Sequence, residues 1–401
     1  MNTAPSGNLL VAQSGGPTAV INNSLYGVIK ESRNHPEITG VLGALHGIEG
    51  VLEENIIDLE KEDPDTLEGL KKAPASALGS IRYKVTEEDY SRILTVFEKY
   101  DIRYFFYIGG NDSMDTADKV AQLSRESGRE LRVIGIPKTV DNDLVETDHC
   151  PGYGSAARYT AITVREIGID VESLPPPVTV FETMGRNSGW LTAATALARG
   201  DGYPAPNLIY CPEQPLARED FLTDVQDTYD EYGYALVAVS EGLKDENGNP
   251  ISMAGSEVKS DDFGHALAGG VGSRLADLIS EELGLRARDE KPGLAARCSS
   301  QLASETDRTE ARKLGMEAVK LAIGGASGKM VALKRPESEE YRVEIAPVRL
   351  KDVANAEKKM PEEFLNDRGN DVTESFYEYA RPLIGRNLPE YSKLQMIPVN
   401  R

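Results

Sequence analysis

The segment IGIPKTVDNDL, Ile134 to Leu144, places one lysine and two aspartates in a short loop behind an apolar strand. A cation there can hold a phosphoryl donor, and a carboxylate beside it can take the proton of an acceptor hydroxyl. Leu131, Val133, Ile134 and Ile136 read as the strand, and Pro137 ends it by removing a backbone donor and fixing φ. Lys138, Thr139, Asp141 and Asp143 therefore lie beyond the strand's carboxyl end, where open α/β sheets bind ligands. Taken alone, this loop reads equally well as an ordinary charged turn.

Similar loops recur along the chain. QSGGPTAVIN, Gln13 to Asn22, follows a strand and opens a helix, so Gly15 and Gly16 let backbone amides approach an anion. YIGGNDSMDTA, Tyr107 to Ala117, repeats the arrangement with Gly109 and Gly110 before Asn111, Asp112 and Ser113, although Asp and Ser also suit a plain N-cap. LGSIRYK supplies Arg82 and Lys84, and ETMGRNSGW presents Met184, Gly185 and Arg186 after another strand. Arginine suits phosphate because its planar fork donates two parallel hydrogen bonds. Glu241 in VSEG ends an apolar strand, where it could accept hydrogen bonds from sugar hydroxyls or cap a helix. His35, His46, His149 and His265 show no metal spacing, and no Ser/His/Asp arrangement supports nucleophilic hydrolysis.

The elements that position these loops alternate. NLLVA, RYFFYI, LRVIGI, PVTVFE, NLIYCP and YALVAVSEG read as strands, and helical patterns follow most of them, including one over Leu267 to Leu283. This order predicts parallel-rich sheets with helices on both faces. With 401 residues, the chain is expected to form two α/β domains. The expected fold is two Rossmann-like domains with a cleft between them, followed by an extension. The boundaries read as 1–152 with 297–334 for a donor domain, 153–296 for a second domain, and 335–401 as a charged, peripheral extension. The net charge of −21 opposes nucleic-acid binding, so any anion site must be built locally. Cys150, Cys211 and Cys298 are widely spaced, which suits a reduced cytoplasmic protein, and neither a leader pattern nor a membrane span is evident.

In this order, SGGPTAVIN, LGSIRYK, GGNDS, PKTVDND, PGYGSA, ETMGR and VSEG resemble the phosphofructokinase family over roughly residues 8 to 330. The resemblance implies Mg²⁺-dependent, reversible phosphoryl transfer to the 1-hydroxyl of fructose 6-phosphate. It makes Asp141 the general base, with Thr139 and Asp143 supporting it, Gly15 and Gly110 at the donor and Arg82 neutralising charge in transfer. Met184, Gly185, Arg186 and Glu241 match the sugar-phosphate pocket, as do Arg297 and Arg288 in the segment RARDEKPGLAARCSSQLASETDR. The resemblance also implies a homodimer or homotetramer, with Arg288 reaching a neighbouring subunit's site.

Asp112 and Lys138 stand where ATP-using members have glycine, so the chain resembles the pyrophosphate-using branch. Asp112 would oppose a nucleotide's α-phosphate, while Lys138 and Lys84 face the short diphosphate. Asn111 takes the place of a Mg²⁺-ligating aspartate and could ligate as a neutral oxygen, with Asp112 as the second ligand. An aspartate among cations is expected to keep a low pKa at position 141. Pro177 and Leu294 depart from the family's sugar-phosphate residues. The alternatives are an ATP-dependent phosphofructokinase and a catalytically silent regulatory subunit. A dinucleotide dehydrogenase lacks its glycine fingerprint here.

Overall fold

Along Leu9–Ala12, side chains alternate between two buried layers: Leu10 and Ala12 enter one, Leu9 and Val11 the other. Tyr104–Tyr107 divides in the same way, with Phe105 and Tyr107 opposite Tyr104 and Phe106. A strand buried on both faces must be central in a sheet with helices on each side. The computed structural model, which describes residues 4–174, 178–253, 270–338, 340–354 and 356–398, has that arrangement.

Its first sheet contains β1 (Gly7–Gln13), β2 (Ile38–Ala44), β3 (Ile56–Asp58), β4 (Ile102–Gly109) and β5 (Arg132–Pro137). The second contains β6 (Val178–Thr183), β7 (Leu208–Tyr210), β8 (Ala235–Ser240) and β9 (Ala287–Glu290). The chain then returns to the first sheet as β10 (Lys329–Lys334) and β11 (Glu344–Arg349). Strand order is β11-β10-β5-β4-β1-β2-β3 in the first sheet and β7-β8-β6-β9 in the second. The strands β10, β5, β4, β1 and β2 are mutually parallel, and every described pair of the second sheet is parallel.

Register decides what the strand ends can do together. Gln13 pairs with Ile108, Gly109 with Pro137, and Thr183 with Ser240. The loops after β1, β4 and β5 therefore start at nearly one level, as do those after β6 and β8. The chain leaves β1 for β2 on one side and β4 on the other, so the first three loops flank a topological switch point.

The returning segment is tightly fitted. The helix Glu305–Ile323 packs on Ile21–Ser32 through reciprocal glycines: a Cβ on Gly27 would lie 2.2 Å from Arg312 O, and one on Gly315 2.1 Å from Ser24 O. Asp307, in the first turn of that helix, is buried and accepts the amides of Gly152 and Ser155, each at 2.9 Å. It thereby anchors the start of the helix Tyr153–Ser173 directly behind the loop that follows β5.

Three expectations change. The tail is not peripheral: β11 closes an edge of the first sheet, and Phe364, Phe376 and Leu383 are buried around Trp190 in the second domain's core. Its charged composition misled because the buried residues are spaced between exposed charges. The helical pattern read from Leu267 is observed as Val271–Leu283, and residues 267–269 lie outside the described part. The helical pattern expected after the strand PVTVFE is a short helix, Trp190–Ala194, that tightens into a 3₁₀ turn over Thr195–Ala198. Sequence patterns also passed over β2, β3, β9, β10 and β11. No described helix is long and apolar enough to cross a membrane.

Replacing Asp307 with Ala strands two buried amides, and should cost about 1–3 kcal/mol of stability. Urea unfolding would measure it, and an unchanged midpoint would remove Asp307 from this role.

Candidate active site

A cavity of about 460 Å³ opens where the strand ends of the two sheets face each other. Gly15, Arg82, Gly110, Asn111, Asp112, Lys138, Thr139, Asp141 and Asp143 line it from the first domain. Met184, Arg186 and Glu241 line it from the other side, and Arg297 lines it close to Gly16. The expected residues Lys84 and Arg288 are not among its lining. Lys84 is exposed, and Arg288 lies on β9, bonded to Asp170 at 3.0 Å and Thr179 at 3.2 Å. Gly185 acts from behind, its amide donating to Glu241 Oε1 at 3.3 Å. Pro177 and His265 lie outside the described residues.

Lys138 is a closely held cation. Its amide donates to Gly109 O at 2.9 Å and its ammonium to Gly16 O at 2.8 Å, so one residue ties together the loops after β4, β5 and β1. Gly15 adopts φ +73°, and a Cβ there would lie 3.0 Å from Lys138 Nζ. Glycine thus serves both the turn and the close approach of the ammonium. Arg297 arrives from the short helix Leu294–Cys298, its Nη1 3.1 Å from where a Gly16 Cβ would stand. Burial, reinforced by Arg297, pushes the Lys138 pKa down to about 8.

The carboxylates are held from several elements. The Asp141 amide donates to Thr139 Oγ1 at 3.1 Å, while Ser188 Oγ, from the second domain, donates to the Asp141 carbonyl at 2.9 Å. Burial pushes the Asp141 pKa up to about 7, with Asp143 and Glu241 adding to it and Lys138 and Arg186 opposing. The expected low pKa is therefore corrected: the floor of the cleft penalises the charge more than its cations reward it. Asp143 and Glu241 are also raised, chiefly by burial.

Asn111 Nδ2 reaches Asp143 Oδ2 at 3.4 Å, but its buried Oδ1 has no hydrogen-bond partner. An orphaned amide oxygen beside a carboxylate is a donor pair suited to a hard cation. Among the described residues, no group of three or more His, Cys, Asp or Glu side chains forms a metal cage. This sparse set fits Mg²⁺, which commonly takes one or two protein oxygens and completes its shell with substrate phosphate and water.

Sequence reasoning missed several supports. Gln13 Oε1 accepts the Leu78 amide at 2.9 Å, and Asn22 Oδ1 accepts that of Ala77 at 2.9 Å. These two buried amides fasten the loop that carries Arg82. Polar residues flanking a glycine turn were the available signal. Glu357, from the tail, also lines the cavity and accepts from Asn187 Nδ2 at 2.9 Å, and nothing in its local sequence marks it.

The phosphofructokinase family model matches residues 8–322, which contain all of these motifs. The chain belongs to the phosphofructokinase family. Among its relatives is the pyrophosphate–fructose 6-phosphate 1-phosphotransferase of Xanthomonas campestris, 42% identical over 98% of this chain and 97% of that protein. The enzyme of the same name from Methylococcus capsulatus is 43% identical, covering 96% and 93%. A solved pyrophosphate-dependent phosphofructokinase from Marinobacter aquaeolei superposes with a TM-score of 0.86 at 38% identity, over 98% of both chains. The phosphofructokinase fold thus extends through the tail, beyond the end of the family match.

Anion binding at Lys138 should weaken as pH rises, because the ammonium is charged below its lowered pKa and neutral above it. With sulfate, which does not titrate in this range, affinity should fall about ten-fold per pH unit above about 8. Lys138→Arg, which retains its charge, should lose that dependence. Calorimetric titration measures both, and a flat profile for the unmodified protein would contradict the assignment.

Proposed function

We propose that this chain transfers a phosphoryl group from pyrophosphate to the 1-hydroxyl of fructose 6-phosphate, giving fructose 1,6-bisphosphate and phosphate. Lys138 carries this reading, because it buries a cation against the glycine loop where a short diphosphate would lie. Near-full-length relatives bearing that activity's name support it.

In this reading the first domain holds the donor and the second holds the sugar phosphate. Lys138, Arg82 and the loop amides near Gly15 and Gly110 draw charge from the diphosphate, while Met184, Arg186 and Glu241 orient the sugar. Arg297 stands between them. Phosphoryl transfer is accelerated mainly by positioning and charge neutralisation. As the sugar oxygen forms its bond to phosphorus, Asp141 accepts the hydroxyl proton and the bond to the departing phosphate breaks. In the reverse direction Asp141 returns that proton. Asn111 and Asp143, with Asp112 nearby, would hold Mg²⁺, which when bound supplies positive charge to the diphosphate oxygens.

Asp112 is exposed at the start of the helix Asn111–Glu126 and lines the donor end of the cavity. A nucleotide extended past the β-phosphate would meet its carboxylate, whereas diphosphate ends before it. The position of Arg288, outside its own chain's cavity, is compatible with service to a neighbouring subunit, so a homo-oligomer is part of the proposal. Free Cys150, Cys211 and Cys298 suit a reducing cytoplasm.

Assays with each donor test the reading: pyrophosphate should support turnover and ATP should not, and the reverse result would overturn it. Asp112→Gly combined with Lys138→Gly should lower kcat/KM with pyrophosphate by about 100-fold or more, given the loss of a buried charged contact. Asp141→Ser should reduce kcat by about 10²–10⁴-fold with sugar-phosphate binding retained. In the unmodified protein kcat/KM should fall below about pH 7, as Asp141 gains a proton and can no longer serve as the base. Turnover that persists undiminished under acid conditions would exclude Asp141 from that role.

A further inference from the structure

The loop that carries Asp141 has a second set of holders behind it, drawn from the tail beyond the family match. Asn142, between the two aspartates, is fully buried and adopts φ +54°. Its Oδ1 accepts the Cys150 amide at 2.9 Å, and its Nδ2 donates to Tyr379 Oη at 2.9 Å. That hydroxyl then donates to Asp148 O at 3.0 Å, so a single oxygen ties both limbs of the loop together.

Lys358 holds the other side. Its amide donates to the Asp143 carbonyl at 2.6 Å, and its ammonium to Asp148 O at 2.6 Å and Thr147 O at 3.2 Å. The same ammonium stands 5.1 Å from the centre of the Trp190 ring, which supports a cation–π contact. Neither Lys358 nor Tyr379 lines the cavity, so neither touches substrate.

We propose that Tyr379 and Lys358 are positioning residues for phosphoryl transfer, setting Asp141 against the sugar hydroxyl through Asn142 and Asp143. This rests on Asp141 being the base. The left-handed conformation at Asn142 turns the chain between Asp141 and Asp143, and among the described residues its side chain is fixed by the Cys150 amide and the Tyr379 hydroxyl alone. Removing that hydroxyl strands the buried Asn142 amide nitrogen and leaves the Asp148 carbonyl to Lys358, and the loop relaxes to satisfy the stranded group. Arg82, Arg186, Glu241 and Arg297 stand on other elements and keep their hold on the substrates. Displacement of the base without loss of binding groups lowers kcat and leaves KM in place.

The test compares Tyr379→Phe and Lys358→Met with Tyr391→Phe, which removes another tail hydroxyl, one that donates to Glu166 Oε1 at 2.5 Å. Kinetics are measured in both substrates, and amide hydrogen exchange is followed over residues 139–149, at a temperature where each variant is folded. Tyr379→Phe and Lys358→Met should each lower kcat by about 10- to 100-fold, with both KM values within about two-fold. They should also speed exchange in the loop, whereas Tyr391→Phe should change neither. Unaltered kcat in Tyr379→Phe, or a loss confined to KM, overturns the proposal. If Tyr379→Phe does not fold, the Lys358→Met result decides by the same criteria. Asp141→Ser is assayed alongside: full turnover in that variant removes the base assignment itself, a failure separate from that of the brace.

Discussion

Burying Lys138 beside Asp141 and Asp143 on one loop makes severe demands on the surrounding protein. Each charge loses water, and neither sign alone could be tolerated there without partners. The loop distributes that cost among its neighbours: Gly16 takes the ammonium, Thr139 and Ser188 fix the backbone of Asp141, and Asn111 approaches Asp143. The residual imbalance appears as a lowered lysine pKa and raised aspartate pKa values. The shifts of Lys138 and Asp141, to about 8 and about 7, bring these two groups close to neutrality, the range in which a base is ionised yet still attracts a proton. Most other features of the cleft hold these three charges in register.

The supports come from distant parts of the chain because no single element could satisfy a loop surrounded on every side. Parallel strands bring three loops to one level, but the fine placement is made by Gln13, Asn22, Asn142 and Asp307. All four are buried polar side chains whose oxygens accept amides from other segments. Such groups are expensive when half satisfied and rigid when fully satisfied. Their number around one cleft explains how an acidic chain of net charge −21 can still hold ordered cations among the carboxylates of its pocket.

What the sequence made legible follows from the range of the interactions involved. Strands β1, β4, β5, β6 and β8 were readable because each is a continuous apolar run buried on both faces. The candidate site residues follow these strands directly, so Lys138, Asp141, Arg186 and Glu241 could be named from local pattern. β9 escaped because ARDE is an exposed edge strand with little apolar content, and β11 because its burial is partial. The tail's part was hidden for a different reason. Tyr379 and Lys358 act on residues more than two hundred positions away, through a hydroxyl and an ammonium whose neighbours resemble any charged surface segment. The pKa of Asp141 was misjudged because a list of nearby charges is visible in sequence and the depth of the cleft is not.

Donor choice, as proposed for Asp112 and Lys138, would show the same difference between exposed and buried groups. Asp112 is exposed, so its repulsion of a longer nucleotide is screened by water and salt and acts mainly where a phosphate is forced into contact. Lys138 is only 2% exposed and already committed to the glycine loop, so its charge acts through protein and is weakly screened. In the proposed reading the two residues therefore contribute unequally: the lysine would provide most of the affinity for diphosphate, and the aspartate would provide exclusion at the pocket's far end. Exchanging the carboxylate alone would enlarge the opening while leaving the ammonium where a nucleotide's phosphates must fit. In the proposed reading, selection of the small donor is consequently a property of the pair, carried on the neighbouring loops after β4 and β5, with the Lys138 ammonium held 2.8 Å from Gly16 O.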